Sequence, residues 1–174
     1  MKIVITGEIG AGKSTAIREL CGRMASRKIG GFLTTAPVED GVKTGLSIES
    51  IDGQSRFFAP RHPADRSASP AWTVDLELFN RDGVDLIRRA ANAELLIMDE
   101  LGIMEMGAEP FVRAVAAAFA LHDRVIAVIQ KSAWSFWAAV LGARSIDLTI
   151  VFQAHNRDAV PDWLANLCRG RQRA

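Results

Sequence analysis

The chain has 174 residues, 18.9 kDa, with 21 Lys plus Arg against 20 Asp plus Glu, a formal net charge of +1. This length suits one domain over residues 1–174 that buries its own core without disulfides or a structural metal, and an apolar fraction of 49% beside 24% charged residues excludes a disordered chain. The even charge balance removes the electrostatic case for a dedicated nucleic-acid binder, no apolar run approaches the roughly 18 residues of a membrane span, the apolar stretch Ile3-Val4-Ile5 is too short for a signal peptide, and the separate Cys21 and Cys168 fit a reducing, cytoplasmic setting.

A short apolar strand is expected over Lys2–Thr6, ended by Gly7. A helix follows from Lys13 to Lys28, because Ile17, Leu20, Cys21 and Met24 recur at helical spacing, and Gly30 and Gly31 stop it. Phe32–Thr35 reads as a strand and Pro37–Gly41 as a turn. Thr44–Ile51 and Ser55–Ala59 form a hairpin about Asp52-Gly53. Residues 60–73 read as a long loop, broken by Pro60, Pro63 and Pro70 and carrying Arg61, His62, Asp65 and Arg66. A loop of that length is either a surface excursion or a lid over substrate. Asp75–Asn92 is helical, with Gly83 weakening its middle. Leu95–Met98 is an apolar run that meets Asp99-Glu100, as in a strand buried on both faces. Pro110–Leu121 reads as a helix with proline in its first turn, Val125–Ile129 as a second buried strand, and Ala133–Leu141 as an apolar helix. Ile146–Phe152 and Asp158–Cys168 close the chain as strand and amphipathic helix. Alternating strands and helices of this kind make an α/β fold: a largely parallel central sheet between helical layers, with one added antiparallel hairpin.

The strongest local signal is Gly7-Glu8-Ile9-Gly10-Ala11-Gly12-Lys13-Ser14, which satisfies G-x-x-x-x-G-K-[ST] between a strand and a helix. Amide N–H groups of such a loop form a concave anion site, and the following helix adds its unpaired amides and positive dipole end. Residues Gly7 to Thr15 are therefore the nucleotide-binding segment. Lys13 is expected on the β- and γ-phosphates and Ser14 on Mg²⁺. Glu8 receives no role, since a carboxylate beside a triphosphate turns to solvent. This motif in this context specifies a P-loop NTPase three-layer fold.

Asp99 ends a buried strand on the rim where such sheets bind ligands, and is expected to hold Mg²⁺, through a water. Glu100 follows directly. Water is a poor nucleophile and must be aligned with the γ-phosphate, so Glu100 is the expected catalytic base beside Lys13. A carboxylate pair of this kind also fits one ligand plus one surface charge. Gln130, ending the next strand, is placed either to contact water or γ-phosphate or merely to cap a loop. For transition-state charge the candidates are Arg113, Arg144 and Arg157. Trp134 and Trp137 fit core packing, with an exposed contact face as the alternative. Cys21 reads as core, and the Arg169, Arg171, Arg173 tail as a solvated helix end.

Four segments together are similar to the THEP-type nucleoside-triphosphatases of bacteria, archaea and animals. They are Met1–Thr15; Gly31-Phe32-Leu33-Thr34-Thr35 with Lys43-Thr44-Gly45-Leu46; Met98-Asp99-Glu100-Leu101-Gly102-Ile103-Met104-Glu105; and Asn156-Arg157-Asp158. The third is the specific one. This resemblance implies slow, Mg²⁺-dependent hydrolysis of nucleoside triphosphates with loose base preference. It also implies that Asn156 and Arg157 lie near the nucleotide, and that Glu105 matches a family glutamate of open role. The chain departs from the pattern at Ile103, where lysine is frequent, at Lys43, where arginine is usual, at Gln130, where an apolar residue or proline is usual, and in the Trp134–Trp137 segment.

Hydrolysis to diphosphate and phosphate is the leading expectation. A small-molecule or nucleotide kinase, with the Arg61–Arg66 loop over an anionic acceptor, and a nucleotide-dependent adaptor or switch are the alternatives. No run such as Asn-Lys-x-Asp singles out guanine.

Overall fold

Strands that are apolar on both faces must be covered on both, and the computed structural model, which describes residues 1–63, 72–153 and 155–169, arranges them accordingly. In chain order the strands are β1 (Lys2–Gly7), β2 (Ile29–Thr35), β3 (Val38–Glu39), β4 (Val42–Lys43), β5 (Gly45–Ser50), β6 (Arg56–Pro60), β7 (His62–Pro63), β8 (Trp72–Thr73), β9 (Leu95–Leu101), β10 (Val125–Gln130) and β11 (Leu148–Phe152). The helices are α1 (Lys13–Arg23), α2 (Val84–Arg89), α3 (Glu109–Leu121), α4 (Trp134–Leu141) and α5 (Val160–Arg169). Seven strands form one sheet in the order β11-β1-β10-β9-β2-β5-β6. β11 through β2 run parallel, and the β5–β6 hairpin is antiparallel. β9 and β10, buried except at Glu100 and Gln130, lie inside, whereas β11 and β6, which carry exposed residues, are the edges.

Alternation along each strand sends side chains into two apolar layers. Ile3, Ile5, Ile97, Ile126 and Val128 meet α1 and α5 on one face. Val4, Met98, Ala127 and Ile129 meet α2, α3 and α4 on the other. Cys168 is buried in the first layer and Cys21 is half-buried at its margin, where burial pushes the thiol up to about 11. Neither cysteine is a ready thiolate. None of the helices among the described residues is long and apolar enough to cross a membrane.

Some expected boundaries shift. α1 ends at Arg23, and Gly30 and Gly31 belong to β2 instead of a helix stop. At Gly31 φ is +111°, and a Cβ there would stand 1.9 Å from the Ile97 carbonyl oxygen, so a glycine is required where β2 lies against β9. The Pro37–Gly41 turn is a small ribbon, β3 against β4. Both ends of the 60–73 loop form another, His62 opposite Thr73 and Pro63 opposite Trp72. Asp65, Arg66 and Pro70 of that loop, like Arg171 and Arg173 of the tail, lie outside the described residues. The helix expected from Asp75 begins as a π-helical turn, Leu78–Gly83. Trp137 is fully buried and Trp134 packs partly against the same layer, so the exposed tryptophan face is not formed and the core reading holds.

Candidate active site

Parallel strands bring their C-terminal ends to one rim. β1 lies between β10 and β11, with Gly7 opposite Gln130 on one side and Phe152 on the other. β10 in turn separates β1 from β9, so the loop after β1 and the acidic end of β9 face each other across one strand. Gly12 at φ +100° lets the chain turn directly into α1, leaving the first amides of the helix directed at the loop. Lys13 is buried, and its Nζ donates to the carbonyl oxygens of Gly7 at 3.2 Å and Glu8 at 2.9 Å. Ser14 is half-buried beside it and Thr15 is exposed. The Glu8 carboxylate is exposed and paired with Lys131, which holds it below its usual pKa and away from the loop interior. Ile9 stands 70% exposed at the tip, an apolar group that no fold requirement explains.

Asp99 is fully buried at the end of β9, and neither carboxylate oxygen has a hydrogen-bond partner. Burial pushes its pKa up to about 7, with the Glu100 charge adding to the rise and the neighbouring Ser14 hydroxyl and Lys13 ammonium opposing it. In the β9–β10 register Val128 faces Asp99 and Ile129 faces Leu101, so Glu100 is skipped as in a bulge that re-aims a side chain. Its Oε1 is buried without a hydrogen bond and lies 3.8 Å from Lys13 Nζ. Burial raises the Glu100 pKa, against the pull of Lys13 and Lys43. Two adjacent carboxylates with unsatisfied oxygens thus stand beside Lys13 and the loop after β1.

Beyond β9 the chain is held by a small hydrogen-bonded cluster. Gly102 N–H donates to Glu105 Oε2 at 3.0 Å, Ile103 N–H to Gln130 Oε1 at 3.2 Å, and the Trp137 indole to the Gly102 carbonyl at 2.9 Å. Glu105 is buried, which pushes its pKa to about 7. A cavity of about 450 Å³ opens here, bounded by Ile9, Thr34, Lys43, Trp72, Glu100 and Gln130 among others.

The NTPase family model matches residues 2–165. The chain belongs to this NTPase family. It is 30% identical over 176 residues to the nucleoside-triphosphatase THEP1 of Methanosarcina barkeri, covering 97% of this chain and 98% of that protein. Among solved structures it is similar to the crystal structure of THEP1 from the hyperthermophile Aquifex aeolicus, with a TM-score of 0.78 and 25% identity over 97% of this chain and 99% of that one. The solution structure of a human cancer-related nucleoside triphosphatase shares the fold, with a TM-score of 0.76 at 19% identity over 99% of each chain.

Membership of the NTPase family fits the convergence of Gly7–Thr15, Asp99 and Glu100 on one rim. Asn156 and Arg157 reach the same rim in the turn after β11. Asn156 spends its amide on that turn, donating to the Val151 carbonyl and accepting from Gln153 N–H, both at 2.9 Å. Arg157 is exposed, 3.3 Å from Asp158. Arg113 and Arg144 do not come to the site. Arg113 pairs with Glu109 along α3 and lines a separate hollow with Arg88 and His122. Arg144 precedes β11 at the opposite rim, where Asp147 N–H meets the Lys2 carbonyl. What sequence reasoning missed is the cavity wall from β2 and β8, Thr34, Thr35 and Trp72, and Lys131 as the partner of Glu8. Strand residues facing a site carry no local motif, so only the topology reveals them.

Proposed function

We propose that this nucleoside-triphosphatase binds a Mg²⁺–nucleoside triphosphate on Gly7–Thr15 and cleaves it to diphosphate and phosphate with Glu100 as the base that aligns water. The observation that carries the reading is the buried Asp99 carboxylate, neither oxygen of which has a hydrogen-bond partner, next to Glu100, whose Oε1 lies 3.8 Å from Lys13 Nζ. Asp99 and the Ser14 hydroxyl fit Mg²⁺, a hard cation that takes oxygen ligands, keeps several waters and shares the phosphates. Among the described residues no group of three or more His, Cys, Asp or Glu could hold a metal alone, which suits an ion that arrives with the nucleotide. When bound, Mg²⁺ would supply positive charge against the triphosphate and the leaving diphosphate.

Loop amides and the α1 N-terminus hold the phosphate oxygens. Lys13 exchanges its two carbonyl partners for phosphate and leaves Glu100 free. Raised in pKa, Glu100 accepts a proton from the attacking water more readily than a solvated carboxylate. Arg157 is the remaining arginine for charge at the nucleotide, with Asn156 fixing the turn that carries it. Loose base preference and slow turnover are what the resemblance to the THEP-type nucleoside-triphosphatases implies.

A phosphate-release assay over several nucleoside triphosphates, with and without Mg²⁺, tests the reading. Glu100→Gln should keep nucleotide affinity and lose turnover by at least ~10²-fold. Turnover within a few fold of wild type in that variant would remove Glu100 from the chemistry.

A further inference from the structure

The cavity beside Glu100 is much larger than hydrolysis requires. Its volume is about 450 Å³. One water occupies about 30 Å³ of liquid, and sites for small organic ligands run from about 300 to 1,000 Å³. Its position matters as much as its size. Lys13, Ser14 and Asp99, the groups for phosphate and metal, do not line it, whereas Ile9 of the phosphate loop and Glu100 do. The hollow therefore adjoins the tip of the phosphate loop on the side of β2 and β5, and Glu100 borders both it and Lys13.

Its lining is that of an organic-ligand site. Leu46, Ile103, Met104 and the Trp72 ring form an apolar wall. Arg61, which lies outside the cavity, holds its guanidinium 5.8 Å from the centre of that ring and braces it. Thr34, Lys43, Gln130, Ser132 and Glu100 supply its polar lining. A bound molecule with hydroxyl groups would find hydrogen-bond partners among these side chains. An indole wall together with this polar lining matches a ligand that is aromatic at one end and hydroxylated at the other.

We infer that this cavity binds a nucleoside-sized molecule with an aromatic ring and free hydroxyls, and that the molecule takes the γ-phosphoryl group in place of water. This rests on the assignment of the phosphate loop and Glu100 above. In the transfer, the acceptor hydroxyl oxygen bonds to the γ-phosphorus and its proton passes to Glu100. The bond from that phosphorus to the β–γ bridging oxygen breaks, its electron pair leaving with the nucleoside diphosphate. The products are a phosphomonoester and a diphosphate, with no further reactant.

The test uses the full-length protein with Mg²⁺, γ-³²P-labelled triphosphate and millimolar adenosine, guanosine, uridine or thymidine. Label is then separated into inorganic phosphate and phosphomonoester. At least one nucleoside should divert label into phosphomonoester and lower phosphate release in proportion. Ala36, just after β2, also lines the cavity, and Ala36→Phe, which fills it there, should abolish the diversion and keep phosphate release within about twofold. Trp72→Ala should weaken the diversion through the acceptor's apparent KM. Label found only as inorganic phosphate with every nucleoside overturns the acceptor site and leaves hydrolysis standing. Diversion undiminished in Ala36→Phe overturns the location. No label released to any product, with triphosphate intact, overturns the hydrolytic reading as well.

Discussion

Replacing Asp99 by asparagine should stabilise the metal-free protein while destroying its activity. The Asp99 carboxyl is fully buried, its pKa lifted by that burial from 3.8 to about 7. At pH 8 the ionised form therefore costs folding about 4 kcal/mol, at about 1.4 kcal/mol for each tenfold change in proton affinity. An asparagine there carries no charge but leaves a buried amide short of partners, a cost of about 1–3 kcal/mol. The net gain at about pH 8 is roughly 1–3 kcal/mol, or about 3–10 °C in Tm for a chain of this size. The sign depends on pH. With its folded-state pKa above the free value, wild-type Asp99 contributes fully below about pH 4, and that stability is lost as pH rises through about 7. The two proteins should thus melt together near pH 5 and separate by pH 8. Glu105 shifts in the same direction in both and largely cancels. Thermal melts in a chelator across this range give the comparison, with phosphate release alongside. An Asp99→Asn protein that melts below wild type at pH 8, or a difference independent of pH, would refute the argument that this carboxylate is an unpaired buried charge.

Lys13→Ala should lower phosphate release by at least ~10²-fold, since one preorganised donor on transferring charge is worth that much; release at the wild-type rate would exclude it from the site. Trp137→Phe keeps an aromatic ring but deletes the indole bond to the Gly102 carbonyl and leaves space in a fully buried position, so denaturant melts should show a loss of about 2–4 kcal/mol. Gly31→Ala forces a Cβ to within 1.9 Å of the Ile97 carbonyl oxygen at positive φ, and should leave little folded protein by circular dichroism and thermal melts.

The phosphate loop and the buried strands were legible because each is written in consecutive residues: Gly7 to Ser14 by identity, Leu95–Met98 and Val125–Ile129 by uninterrupted apolarity. Gly30 and Gly31 read wrongly because a glycine that ends a helix and one that lets two backbones approach look the same without the partner strand. The small β3–β4 ribbon was missed because Val38-Glu39 and Val42-Lys43 are too short and too exposed to show a period. Asp99 and Glu100 end a strand that is legible in the sequence, but the unpartnered oxygens of Asp99 and the approach of Glu100 to Lys13 are three-dimensional facts. Gln130, Ile103 and Trp137, which stand out singly as departures from the resemblance, are hydrogen-bonded around one turn, Gly102-Ile103. Arg113 and Arg144 were as plausible as Arg157 in sequence, because arginines carry no local sign of which rim they occupy.

The Lys13 ammonium has already left water and already has two carbonyl oxygens and a carboxylate around it. Dehydrating it is therefore completed during folding, before any nucleotide arrives. An incoming phosphate trades places with groups of the same chain. Association should then be governed by this exchange of neighbours more than by any ordering of the loop, which makes the empty protein a close template of the loaded one.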